Sequence, residues 1–250
     1  MSVDLPHARI LVVDDQLLVR TLVGQVLRSF GVVPDNILQA TDGNHALHVL
    51  AVRKADLVLC DMQMSPVNGM DLLKMLRCAA TPQSPDLPFV FLSAHPDRSN
   101  ILLAAKLHAD GFIIKPPKPN DIEKNLQAAL SRPRPAIDPF SYFAIATGSE
   151  YDSLTFERPM VPKQSQDLTQ LLERYLRPCA LAEARPGDML ARPLLDQAGR
   201  ELLDRGVRLS AQHLDVLQRF QSVYGIASLA IADLPQEQMA QVQALFGTAL

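Results

Sequence analysis

The sequence predicts an α/β protein: a doubly wound, five-stranded parallel sheet over residues 8–131, a proline-rich segment over 132–165, and a small α+β domain over 166–250. Three observations carry this reading. From Arg9 to Ser131 short apolar runs alternate with helix-period stretches, the pattern of βα repeats. Four of those runs end on reactive groups, at Asp14-Asp15, Asp61, Ser93 and Lys115, as at the carboxyl edge of a parallel sheet where open α/β folds bind ligands. Beyond Arg132 the repeat stops, and short apolar pieces between turn signals replace it.

Taken in order, Ile10–Val13 reads as a strand delivering Asp14 and Asp15. Leu18, Leu22, Val23, Val26, Leu27 and Phe30 follow at i, i+4, i+8 spacing, which predicts a helix packed on the sheet. Ile37–Ala40 is the second strand, and Leu47 and Leu50 mark a helix after Gly43. Leu57–Cys60 is the third, delivering Asp61 into a loop before Gly69 opens a helix with Leu72, Leu73, Met75 and Leu76. Phe89–Leu92 is the fourth, ending on Ser93, with Ile101, Leu102, Ala105 and Leu107 in the helix after Pro96. Phe112–Ile114 is the fifth, ending on Lys115. Asn120 is expected to N-cap a last helix carrying Ile122, Leu126, Ala129 and Leu130.

From Arg132 to Ser165 the pattern breaks: SRPRPAIDPF and FERPMVPKQ are proline-rich, which removes helix and central-strand options. Yet Phe140, Tyr142, Phe143, Tyr151 and Phe156 supply five of the 13 aromatic residues, and exposing such rings is costly. The segment is therefore expected to pack. After a helix at Asp167–Leu176, turns at Pro186-Gly187-Asp188, Asp196–Gly199 and Asp204–Gly206 predict an antiparallel meander. Ser210 caps a helix with Leu214, Leu217 and Phe220 on one face; Ile226–Ala232 is a strand, and a polar helix runs from about Pro235 to Ala249.

A net charge of −3 and a pI near 6.1 argue against a broad nucleic-acid surface, and nucleic acid is not the expected partner. Cys60, Cys78 and Cys179 form no CxxC pair, which favours a reducing compartment. Neither an apolar leader in MSVDLPHAR nor a run approaching the ~18 residues of a membrane span occurs, so a cytoplasmic location without a membrane partner is expected. His45 and His48 lie three apart on a helix but lack a third ligand nearby, and read as a polar face. Cys60 reads as a buried, inert strand residue.

Asp14, Asp15 and Asp61 brought together repel one another unless a cation lies between them. Hard carboxylate oxygens with room for water suit Mg²⁺. One carboxylate can then act as nucleophile toward a phosphoryl group and form an acyl phosphate. Lys115 supplies positive charge for the equatorial oxygens, and the Ser93 hydroxyl can donate to one of them.

ILVVDD, DMQMSPVNG from Asp61 to Gly69, LSA and FIIKP resemble the response-regulator receiver domain of two-component signalling, over roughly residues 8–131. The resemblance implies a flavodoxin-like sheet of order 2-1-3-4-5, with Asp61 as phosphoacceptor and a sensor histidine kinase as phosphodonor. It implies Mg²⁺ held by Asp14, Asp15, Asp61 and the backbone carbonyl of Gln63, and no other cofactor. Ser93 and Lys115 would bind the phosphoryl group and Phe112 would be the switch aromatic, a role compatible with ordinary core packing. A cis peptide is usual at the position of Lys115-Pro116, and receiver homodimers are possible. This chain departs from the pattern in three places. Ser65 stands where proline is common, with Pro66 one later; Phe112 has no hydroxyl; and His95 stands where the family tunes water access.

PGDMLAR, the D-x-x-G-R turn, LL-x-x-G-x-x-L and the leucine-spaced helix that follows look similar to the small module preceding HD-GYP phosphodiesterase domains. No His-Asp dipeptide, GYP, GGDEF or EAL stretch is present, so no output enzyme is expected. The candidate recognition helix Ala211–Ser222 carries one arginine, Arg219, against Asp215, a poor match to a DNA-reading helix. The preferred output is non-enzymatic binding of a downstream protein. The alternatives are a DNA-binding transcriptional regulator and a regulatory partner of a separate cyclic-dinucleotide enzyme.

Overall fold

The computed structural model describes residues 5–94, 97–133, 137–156, 166–235, 238 and 242. The chain divides into two compact units, Met1–Thr155 and Phe156–Leu250.

In the first unit the parallel strands β1 (Ile10–Val13), β2 (Ile37–Ala40), β3 (Leu57–Asp61), β4 (Phe89–Ser93) and β5 (Gly111–Ile114) stand in the order β2-β1-β3-β4-β5. Helices α1 (Leu17–Ser29), α2 (Gly43–Val52), α3 (Gly69–Arg77), α4 (Arg98–Lys106) and α5 (Pro119–Ser131) connect them or close the unit. Every residue of β1, β3 and β4 is buried, because helices cover both faces of a parallel sheet. That is why ILVV, LVLCD and FVFLS read as unbroken apolar runs. The strand order reverses between β1 and β3, and the crevice outside their carboxyl ends is the ligand position of such sheets.

Local chemistry starts the helices. Asp42, Asn68 and Asp97 accept the backbone N–H groups of His45, Asp71 and Asn100, capping α2, α3 and α4. The last helix departs from expectation: Asn120 is not its cap. The helix begins at Pro119, whose missing N–H costs nothing in the first turn, and Lys118 precedes it without a side-chain cap.

Two helices also turn a different face inward than their leucine spacing suggests. In α1, Val23, Val26 and Leu27 are buried and Val19 packs beside them, while Leu18 and Leu22 are 83% and 40% exposed. In α4, Ala104 is buried, whereas Ile101 and Leu102 lie at the surface. A run rich in leucine offers two stripes at helical period, and only contact with the sheet selects one.

Helix α3 is buried on all sides: all nine residues are buried, Asp71, Lys74 and Arg77 included. Residues 137–155, within the segment expected to pack, are the reason. They form α6 (Phe140–Phe143) and α7 (Glu150–Thr155) and belong to the first unit. Phe140, Tyr142 and Phe143 are buried. The Tyr142 hydroxyl shares a hydrogen bond with His108 Nδ1. Asp152 forms a buried ion pair with Lys74. Arg77 donates to the carbonyls of Leu107, Pro85, Leu87 and His108, at 3.0, 2.6, 3.0 and 2.9 Å. Its guanidinium thus ties the end of α3 to the segments flanking β4 and α4.

The second unit is α+β. It contains α8 (Gln166–Arg174), β6 (Leu176–Ala180), β7 (Met189–Leu190), β8 (Leu194–Leu195), β9 (Glu201–Leu203), α9 (Ala211–Arg219), α10 (Gln221–Tyr224) and β10 (Ser228–Ala232). The antiparallel strands form one sheet of order β6-β10-β7 and a separate β8-β9 pair. Leu168, Leu172, Met189, Ala191 and Val242 make one buried cluster. Of the polar helix expected from Pro235 to Ala249, only residues 235, 238 and 242 are among the described residues.

Ser210 caps α9 as expected, and His213 completes a reciprocal box: Ser210 Oγ accepts the His213 N–H, and His213 Nδ1 accepts the Ser210 N–H. An acceptor Nδ1 requires the neutral ring. Burial lowers the His213 pKa to about 4, outweighing the opposing Arg208 backbone hydrogen bond. Its ordinary value is 6.5. The unfolded chain therefore takes up a proton below 6.5 that the folded unit refuses, and stability falls as pH drops toward 4. Thermal unfolding at decreasing pH is expected to show a loss of about 3 kcal/mol at the acid end of that window. His213→Asn, which keeps an acceptor, is expected to flatten this dependence; an equally steep profile in the variant contradicts it.

Candidate functional site

The ends of β1, β3 and β5 bring Asp14, Asp61 and Lys115 together. β1 and β3 are neighbours in register, Val13 beside Cys60, so their following carboxylates emerge side by side. Asp14 is fully buried and Asp61 nearly so, while Asp15 is exposed. Lys115 Nζ lies 2.7 Å from Asp14 Oδ2 and 2.8 Å from Asp61 Oδ2, bridging the two carboxylates. Burial pushes the Asp14 pKa up, and the hydrogen bonds from Lys115 and the Gln16 N–H only partly offset it. Burial by itself would lower the Lys115 pKa. Its hydrogen bonds to Asp14 and Asp61 outweigh that and raise it, so the ammonium stays charged.

The backbone holds these groups from behind. Arg20 Nη1 donates to the Asp14 and Asp15 carbonyls at 2.6 and 3.2 Å, and the Gln16 N–H donates to Asp14 Oδ1 at 2.9 Å. After β3, the Met62 N–H bonds the Leu92 carbonyl and the Gly69 N–H closes the loop onto the Met62 carbonyl. At Gly69 a Cβ would fall 2.3 Å from the Asp61 carbonyl oxygen, so only glycine allows α3 to start this close to the acceptor strand.

One carboxylate oxygen from each of Asp14, Asp15 and Asp61 lies within 4.8 Å of the others, a metal-ligand grouping among the described residues. Three anionic groups around one ammonium leave surplus negative charge, and an exposed Asp15 leaves room for water. Such a set of hard oxygen donors fits Mg²⁺. His45 instead sits in the first turn of α2, with its Nδ1 beside Thr41.

The remaining sequence-predicted residues are nearby. The Gln63 N–H is 3.4 Å from Asp61 Oδ1. Ser93 is buried at the end of β4, and its carbonyl accepts the Lys115 N–H at 2.9 Å. Phe112 is half-buried and stacks on Phe91 with ring centres 5.5 Å apart. Both Lys115-Pro116 and Ser65-Pro66 are cis. Cys60 is buried, its thiol bonded to the Asp61 carbonyl and its pKa driven up by burial, as an inert strand cysteine should be. His95 lies outside the described residues.

With strand order and site in place, the comparisons with known proteins fall on the first unit. The family model described as "Response regulator receiver domain" matches residues 10–127. Residues 10–127 form a response regulator receiver domain. The DNA-binding response regulator MtrA of Mycobacterium tuberculosis is 33% identical over 129 residues, 52% of this chain and 53% of that protein. The probable transcriptional regulator ycf27 of Porphyridium aerugineum is 29% identical over 124 residues, 50% of this chain and 48% of that protein. The chain thus spans about half the length of the curated relatives it matches. A putative response regulator from Chloroflexus aurantiacus is similar at 26% identity and a TM-score of 0.46, covering 50% of this chain and 98% of that one. The Vibrio cholerae chemotaxis protein CheY4 is similar at 25% identity and a TM-score of 0.45, covering 49% and 98%. Among the described residues no helix is long and apolar enough to cross a membrane.

The sequence reading missed two residues at the receiver site. Arg20 follows Asp14 by a turn and a half of helix, a spacing that could have suggested contact with the preceding loop. Thr147 lines a cleft of about 510 Å³ beside the acceptor loop, together with Asp15, Gln63, Met64, Asn68 and Asn100. No local signal marks it, because it arrives from beyond α5.

Proposed function

We propose that this protein is a phosphorylation-dependent signalling switch, with Asp61 accepting a phosphoryl group from a sensor histidine kinase. The observation that carries the proposal is the Lys115 ammonium bridging Asp14 and Asp61 within a trio of carboxylates. An Asp61 oxygen attacks the phosphorus of a phosphohistidine; the new P–O bond forms as the P–N bond breaks, and the imidazole leaves with the electron pair. Lys115 and the Ser93 hydroxyl receive the equatorial oxygens of the resulting acyl phosphate. Mg²⁺, held by Asp14, Asp15, Asp61 and the Gln63 carbonyl, would supply charge neutralisation when bound. Hydrolysis by water later returns the carboxylate and inorganic phosphate. Phe112 responds as Ser93 is drawn toward the phosphoryl group; its partial burial and its stacking on Phe91 support this reading.

For the output we favour binding of a downstream protein by the second unit, without catalysis of its own, in a cytoplasmic protein that can pair through its receiver. Residues 166–250 hold eight arginines and no lysine against ten carboxylates. Four of those arginines, Arg177, Arg192, Arg200 and Arg219, already pair with Asp233, Glu173, Asp196 and Asp215. A DNA surface needs free cations along one face. The second reading, a transcriptional regulator, is favoured by the names of the relatives, and gel shift against genomic fragments separates the two.

The switch itself is tested by incubating the full chain with Mg²⁺ and acetyl phosphate. One phosphoryl group is expected to be taken up, released by hydroxylamine as an acyl phosphate is, and uptake is expected to stop when the metal is chelated. Uptake that persists after chelation contradicts the proposal.

A further inference from the structure

Residues 137–155 do more than cover α3. The Thr147 hydroxyl donates to Asp71 Oδ1 at 2.5 Å, and the Ser149 hydroxyl donates to the same oxygen at 2.8 Å. The Thr147 N–H donates to Asp152 Oδ2 at 3.0 Å, and Asp152 pairs with Lys74. Asp71, Lys74 and Asp152 are all at most 1% exposed, so this is a buried polar lock rather than a surface contact. Asp71 and Lys74 lie in the first turns of α3, the helix that begins directly after the acceptor loop. The lock therefore fixes Thr147 relative to that loop, and Thr147 forms one wall of the cleft beside it. Gln63 and Met64, which line the same cleft, follow the acceptor by two and three residues, and Asp15, also in the lining, belongs to the carboxylate trio.

Resting on the phosphoacceptor reading above, we infer that Thr147 is a specificity-determining residue for phosphoryl chemistry at Asp61: the strap 137–155 limits how phosphodonor and water reach the acceptor. Thr147 is half-buried, and a side chain that narrows the cleft beside the acceptor loop slows both the approach of a small donor and the attack of water on the acyl phosphate. Removing the Thr147 side chain widens the cleft and raises both rates. Ser149 offers an internal control. It makes the same kind of hydrogen bond to the same Asp71 oxygen but does not line the cleft. A merely structural strap predicts equal effects from Thr147→Ala and Ser149→Ala, whereas a wall at residue 147 predicts unequal ones.

The test uses the full chain with Mg²⁺ and acetyl phosphate, following uptake and subsequent loss of the phosphoryl group by intact mass. Thr147→Ala is expected to speed both steps by about threefold or more, with Ser149→Ala within about twofold of wild type. Thr147→Ala rates within twofold of wild type, or matching changes in both variants, overturn the inference. If wild type takes up no phosphoryl group, the switch reading has failed and the inference falls with it; if wild type is labelled and the variants are alike, only the inference fails. Should Thr147→Ala melt below the assay temperature, Thr147→Cys modified with a small and then a bulky thiol reagent replaces it, since Cys60, Cys78 and Cys179 are buried. Slowing that grows with adduct size supports the wall, and equal rates overturn it.

Discussion

Asp15→Asn is expected to weaken Mg²⁺ binding roughly thirtyfold while leaving the first unit folded. Asp15 is the exposed member of the carboxylate trio, and Lys115 pairs with the other two, so the substitution removes an anionic ligand without breaking an ion pair. At about 4 Å in a watery environment one charge pair is worth ~1 kcal/mol, hence ~2 kcal/mol against a divalent cation, which is roughly thirtyfold in affinity. Without metal, the same change relieves repulsion with Asp14 and Asp61, so the apo protein is expected to melt slightly higher. Asp14→Asn lacks this clarity, because it also takes from Lys115 one of its two carboxylates. Titrating wild type and Asp15→Asn with Mg²⁺ by calorimetry checks this. Equal affinities would exclude the trio as the metal site.

The largest effect on stability is expected from Asp152→Ala. Lys74 is fully buried and Asp152 is 1% exposed, and the two form an ion pair deep between α3 and the strap. Removing one partner of such a pair typically costs about 3–5 kcal/mol, because the remaining charge keeps its desolvation penalty and loses its compensation. Asp152 also accepts the Thr147 N–H, so the seat of the strap loosens with it. Chemical denaturation of the full chain measures the cost. The double change Lys74→Met with Asp152→Leu is expected to recover much of the loss, since apolar groups of similar volume replace a buried pair without penalty. A cost below about 1 kcal/mol for Asp152→Ala would show that the strap does not depend on this pair.

The receiver and its site were legible in the sequence because both rest on local patterns. Buried parallel strands leave unbroken runs such as ILVV and FVFLS, and each run ends where its functional group must stand. Asp14, Asp61, Ser93 and Lys115 could therefore be grouped before any contact was known. What escaped was set by tertiary contact. In MDLLKMLR the spacing marked Leu72, Leu73, Met75 and Leu76 but nothing about Lys74 and Arg77, both of which are buried, because the strap and the carbonyls around β4 enclose them. The aromatics of 132–165 announced that the segment packs against a domain, but not on which residues. Tyr142 finds His108, and Asp152 finds Lys74, across separations no periodicity encodes. Leu18 and Leu22 mislead for the opposite reason, since spacing defines a stripe but not the side that meets the sheet. In the second unit, the turn residues and the Ser210 cap placed α9, while the pairing of β6, β7 and β10 around a common sheet had no signature in so short a set of strands.

The central claim, that Asp61 carries the phosphoryl group, is tested most directly by reading which residue bears it. Full-length protein phosphorylated with acetyl phosphate and Mg²⁺ is reduced with borohydride, which converts an aspartyl phosphate to homoserine, then digested and sequenced by mass spectrometry. Homoserine at position 61 in wild type, and no labelled peptide from Asp61→Asn, is the predicted result. Homoserine at Asp14, at Asp15 or in the second unit, or label that survives in Asp61→Asn, would contradict the account.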